Sequence, residues 1–225
     1  MRRLIVAGVL AAMIAAPALA VPTVTVTQSS GYFSGIGGEF TLTPSADLSW
    51  VLALYDTKAK IGATFQSFCT EASEYVTLGS TYTVNLNDRA INGRVGPEGD
   101  PISLGTAWLY HEFQLGRLVS YKYTPGPDRS ADAGALQKTI WWLEGETGDP
   151  GSGNVFRNAV ISEFGTVAGA MADNNHAYPV GVLNLYYQNG GRAQDMLVCV
   201  PAPGALLLGG LGTTLVGWLR RLRML

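Results

Sequence analysis

Ser103-Leu104-Gly105-Thr106-Ala107-Trp108-Leu109-Tyr110-His111-Glu112-Phe113-Gln114-Leu115-Gly116-Arg117-Leu118 is where the pattern of this chain changes. Leu104, Ala107, Trp108, His111, Leu115 and Leu118 recur at three- and four-residue spacings, the period of an amphipathic helix. The spacing predicts a helix from about Ser103 to Leu118. Upstream, the apolar residues alternate instead.

Thr23 to Thr27 alternates threonine with valine and predicts a first strand, with Pro22 at its start, where a missing N–H matters least. Glu39 to Thr43, Leu48 to Tyr55, Ala63 to Thr70 and Thr81 to Leu86 are further strand candidates. Gly35, Gly37 and Gly38 read as loop glycines, and Asn87 to Pro101 as a loop rich in Asn, Asp, Gly and Pro.

Downstream, Pro125-Gly126-Pro127 marks a loop. Ser130 or Asp132 then caps a helix from about Ala133 to Glu144, ending at Gly145. A third helix is expected from Ser152 or Asn154 to about Ala170. Val180 to Tyr187 and Gln194 to Val200 flank Asn189-Gly190-Gly191, a hairpin signal. Strands, then helices, then a closing hairpin imply an α+β fold. The expected form is a mainly antiparallel sheet or sandwich with a helical insertion of about three helices.

The charge is unevenly spread. Five of the fifteen basic residues sit at the ends, and all seventeen acidic ones lie between. Residues 21 to 200 thus carry ten basic against seventeen acidic groups, a net charge of −7. No basic patch is available for phosphates, which argues against nucleic acid as a partner.

Met1-Arg2-Arg3, the apolar run Leu4 to Ile14 and Ala18-Leu19-Ala20 have the three-part order of a secretory signal peptide, assigned to residues 1–20. At the other end, Val200-Pro201-Ala202-Pro203 precedes an apolar run over 204–219, then Arg220, Arg221 and Arg223. The run is slightly short for a transmembrane helix, and the arginines would hold its end in the cytoplasm. This tail, residues 200–225, resembles the PEP-CTERM sorting signal, with Ala202 in place of the usual glutamate. Similar tails are also labelled a C-terminal motif of ice-binding proteins, which is no evidence of ice binding. The resemblance implies an exosortase-like processing enzyme as partner. It also implies an inner-membrane precursor and delivery to the cell surface or extracellular matrix.

The body, residues 21–199, contains the two cysteines, Cys69 and Cys199, in no zinc-binding pattern. Phe68-Cys69-Thr70-Glu71 ends a predicted strand, and Gln137-Lys138-Thr139-Ile140-Trp141 lies on a predicted helix. A thiolate is a strong nucleophile and a carboxamide a poor acyl donor. A fold that holds the two together and excludes water favours an internal thioester with loss of ammonia. Three fates of Cys69 stand side by side: this thioester with Gln137, a disulfide with Cys199 in an oxidising compartment, or an inert buried thiol.

At these residues the body resembles the Cys-Gln thioester domains of bacterial surface adhesins. Phe68-Cys69 matches the early aromatic-Cys motif. Gln137 to Trp141 matches the later Gln-x-Ala-Ile-Trp motif, with Thr139 replacing alanine. Phe113-Gln114-Leu115 is a weak counterpart of a middle glutamine motif. The resemblance implies that Cys69 and Gln137 form the bond, that Trp141 shields it, and that a protein amine on a partner attacks it. The alternative is a structural or adhesive matrix protein that binds non-covalently, for instance to matrix polysaccharide, with no thioester.

No enzyme, cofactor or metal motif accompanies these residues. Glu144 and Glu146 form a carboxylate pair without a nucleophile, which makes a secreted hydrolase the weakest reading. His111 and His176 lack ligand spacing. Asp149, Asp173 and Asn174-Asn175 show no calcium-loop order.

Overall fold

The computed structural model describes residues 21–35, 37–91 and 99–202. The expected signal peptide, the membrane segment and Pro203, Arg220, Arg221 and Arg223 lie outside the described residues. Among the described residues no helix is long and apolar enough to cross a membrane.

The fold is α+β with antiparallel sheets. The elements run β1 (Thr23–Thr27), β2 (Phe40–Pro44), β3 (Lys60–Ile61), β4 (Thr64–Ser67), β5 (Thr81–Asn87), β6 (Arg89–Ala90) and β7 (Asp100–Pro101). Four helices follow: α1 (Leu104–Gln114), α2 (Pro127–Leu143), α3 (Val155–Phe164) and α4 (Val167–Ala170). The hairpin β8 (Val180–Tyr186) and β9 (Arg192–Cys199) closes the domain. One sheet has the order β3-β4-β2-β1-β5-β8-β9, and β6-β7 forms a small second ladder.

The large sheet curls until its ends meet. Just past β4, Leu197 N–H on β9 donates to Phe68 O at 2.9 Å, and Thr70 N–H donates to Asp195 O at 3.1 Å. Cys69 pairs with Met196 in an antiparallel bridge. This closure satisfies edge groups that an open sheet would expose. It also fixes Cys69 in a hydrogen-bonded seam instead of a free loop.

Three expectations need correction, besides the short β6–β7 ladder that forms inside the expected loop Asn87 to Pro101. Leu48 to Tyr55 is not a strand; Ala46–Leu54 forms a 3-10 helix. Its buried residues, Leu48 and Val51, are three apart, the period of that helix and not of a strand. Second, α2 starts at Pro127, before either expected cap. Pro127 occupies the first turn, where a missing N–H costs nothing, and Asp132 instead accepts from Lys122 N–H. Third, the helix expected to reach Ala170 divides into α3 and α4. Gly165, at φ +74°, ends α3, and Thr166 caps α4.

Ser103, where α1 was expected to start, is its cap, its side chain accepting from Thr106 N–H, and the helix ends at Gln114, short of the expected Leu118. The buried face of α1 is turned away from the expected stripe: Thr106, Ala107, Leu109, Tyr110 and Phe113 are buried, while Leu104, Trp108, His111 and Leu115 are only half-buried. This helix packs against β8 and β9 as well as the other helices, so apolar residues are buried beyond a single stripe.

A candidate thioester site

Each half of the site comes from a rigid element. On α2, Ala133, Leu136, Gln137 and Ile140 are buried at helical spacing. Gln137 therefore faces inward with the core residues and not outward with Lys138. Cys69 sits in the sheet seam, fully buried. The Phe68 ring before it packs edge-on against Phe113, with centroids 5.1 Å apart.

Between them the geometry is close and specific. Cys69 Sγ lies 3.3 Å from Gln137 Oε1. That oxygen also accepts from Gly38 N–H at 3.1 Å and from Cys69 N–H at 3.2 Å. On the other side of the carboxamide, Gln137 Nε2 donates to Cys69 O at 2.7 Å. This network admits one orientation of the amide. A flipped group would set its NH2 against two N–H donors and its oxygen against a carbonyl.

The two backbone donors converge on the oxygen that would carry negative charge during acyl transfer, the arrangement of an oxyanion hole. It depends on Gly37 and Gly38, which the sequence alone presents as loop glycines. A Cβ on Gly37 would lie 2.5 Å from Gln137 Cγ. One on Gly38 would lie 2.5 Å from the Phe68 ring and 3.2 Å from Gln137 Oε1. Only glycine lets this backbone reach the carboxamide.

Trp141, one turn beyond Gln137, has a buried indole N–H without a hydrogen-bond partner. Burial pushes the Cys69 thiol well above its ordinary value, and the Trp141 indole beside it partly offsets this. The resting cysteine is thus the protonated thiol. A cavity of about 340 Å³ reaches Cys69, with Phe40, Glu74, Tyr75, Trp141 and Gln194 among its other walls. Neither a family model, nor a curated protein, nor a solved structure matches this chain.

Cys69, Gln137 and Trp141 are thus brought together. Both cysteines are buried and unpaired, with Cys199 on β9 three residues beyond Met196, the residue that faces Cys69. Gln114 is buried on α1, where its carbonyl accepts from Asp56 N–H, and it makes no hydrogen bond to the site. The expected carboxylate pair is divided between structural duties. Glu144 Oε1 accepts from Ser103 N–H and Oγ–H, and Glu146 accepts from Ala72 N–H. Asp149 is tied to Arg157 on the surface. Val200, Pro201 and Ala202 continue directly from β9, with Val200 N–H bonded to Pro179 O.

Sequence reading missed the support behind Gly38. Glu39 and Arg129 form a buried bidentate ion pair, at 2.6 Å and 2.8 Å. The Tyr121 hydroxyl also donates to Glu39, at 2.7 Å. Arg129 further donates to Lys58 O and Tyr123 O and stacks on the Tyr32 ring. Burial opposes the guanidinium charge, but Glu39 outweighs it and holds Arg129 above its ordinary value. Nothing in the sequence hinted at it, because Arg129 precedes both expected helix caps, Ser130 and Asp132, in a stretch that reads as loop.

Proposed function

We propose that this chain is an exported surface or matrix protein that attaches covalently to a partner through an internal Cys69–Gln137 thioester. The observation that carries the reading is the contact of Cys69 Sγ with the Gln137 carboxamide, whose oxygen is held by two backbone N–H groups.

The chemistry balances without a cofactor. Cys69 Sγ attacks Gln137 Cδ. Negative charge develops on Oε1 and is stabilised by Gly38 N–H and Cys69 N–H. The C–N bond then breaks, and nitrogen leaves as ammonia after taking up the thiol proton. The product is a stored electrophile in a largely water-excluded position. An unprotonated primary amine entering the cavity attacks the same carbon. A new amide forms, and the sulfur leaves as the Cys69 thiol, taking a proton from the amine. The protein is consumed in this step, so it acts as a reagent and not as a turnover enzyme.

Export follows from the signal-peptide pattern at residues 1–20. Sorting by an exosortase-like enzyme follows from the Val200–Pro203 motif, the apolar run over 204–219 and the arginines beyond it. The partner is an amine-bearing surface or matrix molecule.

The test is the intact mass of the protein purified without amine buffers, beside its Cys69→Ala form. The expected result is a deficit of one ammonia, absent from the variant and replaced by an adduct after treatment with methylamine. Full mass in the wild-type protein, with no adduct, would overturn the thioester and leave non-covalent adhesion.

A further inference from the structure

Behind the cavity wall lies a group of acids that the acyl-transfer chemistry does not use. Glu71 and Glu74 follow Cys69 closely in sequence, and Asp195 projects from β9. One carboxylate oxygen from each lies within 4.8 Å of the other two. The grouping is held by the seam itself. Thr70 N–H donates to Asp195 O at 3.1 Å, and Gln194 Nε2 donates to Glu71 O at 2.9 Å.

Glu71 supplies the second, independent observation. Its residue is only 3% exposed, and neither of its carboxylate oxygens has a hydrogen-bond partner. Asp195, 2% exposed, accepts from Ile91 N–H through Oδ2. None of the ion pairs among the described residues includes Glu71 or Asp195. The acidic character extends further, since the charges of Glu146 and Asp195 also act on Glu71. Arg192 tempers Asp195 from a distance, without forming an ion pair with it. A buried carboxylate with no donor is satisfied either by a proton or by a cation.

We propose that Glu71, Glu74 and Asp195 bind a calcium ion. The donors are all hard oxygens, with no histidine or sulfur among them, which selects against zinc and copper. Calcium, with ligands at about 2.3–2.6 Å, bridges a carboxylate triangle of this size and tolerates irregular geometry, with water completing its shell. Magnesium needs a tighter, near-octahedral set. The ion ties the segment after β4 to β9, and through Glu74 it stiffens one wall of the cavity that opens on Cys69. The proposal does not depend on the thioester, because every ligand lies outside the Cys69–Gln137 pair.

The experiment uses the purified protein stripped with EDTA and then titrated with calcium. Melting temperature is one readout and terbium luminescence, excited through tryptophan, the other. The expected result is one ion per chain and a rise in melting temperature with calcium that the same concentration of magnesium does not match. Glu71→Gln and Asp195→Asn should each weaken binding at least tenfold. Glu71→Gln keeps the shape and removes a buried charge, so it should fold and melt no lower than the stripped wild type. Absence of both signals would overturn the proposal, as would binding unchanged in Glu71→Gln or an equal response to magnesium. A melting temperature that ignores calcium but rises on acidification would overturn it in favour of a proton shared by the carboxylates.

Discussion

Glu39 and Arg129 form a fully buried, bidentate ion pair that joins the loop end carrying Gly38, just before β2, to the helix carrying Gln137. Gly38 immediately precedes Glu39, and Arg129 lies two turns before Gln137 on α2. The pair therefore sets the distance between an oxyanion donor and the carboxamide it serves. Loop Ser29–Gly38 is pinned to the start of the same helix by Gly126 N–H, which donates to Gly31 O.

Breaking the pair from one side leaves an uncompensated buried charge. Arg129→Met is expected to lower stability by about 3–5 kcal/mol. The Glu39→Gln/Arg129→Met double variant should recover part of that loss. Urea denaturation of the three proteins checks the stability. Intact mass should show a lower thioester yield in Arg129→Met than in the double variant.

Gly37→Ala and Gly38→Ala each insert a methyl group where an atom already lies 2.5 Å away. The expected cost is about 1–3 kcal/mol from overpacking. The sharper effect is on chemistry, since displacing Gln137 or Gly38 N–H removes the oxyanion contact. Both variants should fold, as judged by circular dichroism, and keep the full mass without ammonia loss.

Trp141 is proposed to shield the bond from water. Trp141→Ala should speed loss of the thioester to water or methylamine about tenfold or more, equal to at least ~1.4 kcal/mol of barrier. Trp141→Phe keeps most of the bulk and should lie between the two. Time courses of adduct formation by mass spectrometry separate these cases. Equal rates in all three proteins would remove Trp141 from the site.

Cys69 and Cys199 are both buried and free. In the thioester form only Cys199 retains a thiol. Denaturation in amine-free mild acid, followed by a thiol reagent, is expected to titrate one thiol per chain. Prior methylamine treatment should release Cys69 and raise the count to two.

Glu144 gives a pH dependence with a definite sign. Desolvation pushes its carboxyl up to about 7, against the opposing hydrogen bonds of Thr106 and Ser103. Between about pH 4.5 and 7 the unfolded chain releases this proton while the folded chain keeps it. The unfolded state then binds fewer protons, so stability falls as pH rises through that window and levels off above it. The contribution is about 1–3 kcal/mol, discounted for partial solvent access. Glu144→Gln should flatten this part of a urea-midpoint profile measured from pH 4.5 to 7.5.

Much of the secondary structure was legible because it rests on local patterns. Alternation in Thr23–Thr27 and Thr81–Asn87 marks strands that bury one face, and Asn189-Gly190 marks the hairpin turn. Ser103 and Asn154 cap the helices whose starts they signal. The stretch Leu48 to Tyr55 misled because an apolar run without clear alternation fits several conformations. Tertiary packing then favoured the one that buries Leu48 and Val51 together.

Cys69 and Gln137 were candidates from residue type and local motif. Their 3.3 Å approach was decided by the closed sheet seam, because residues 68 positions apart meet only through long-range pairing. The same is true of Gly38, Glu39 and Arg129, and of Glu71, Glu74 and Asp195. Local sequence determined which segments become strands, caps and turns, since those preferences arise within a few residues. The fold alone decided which polar groups share a buried space. That outcome depends on how the whole core packs, and no short window of sequence contains it.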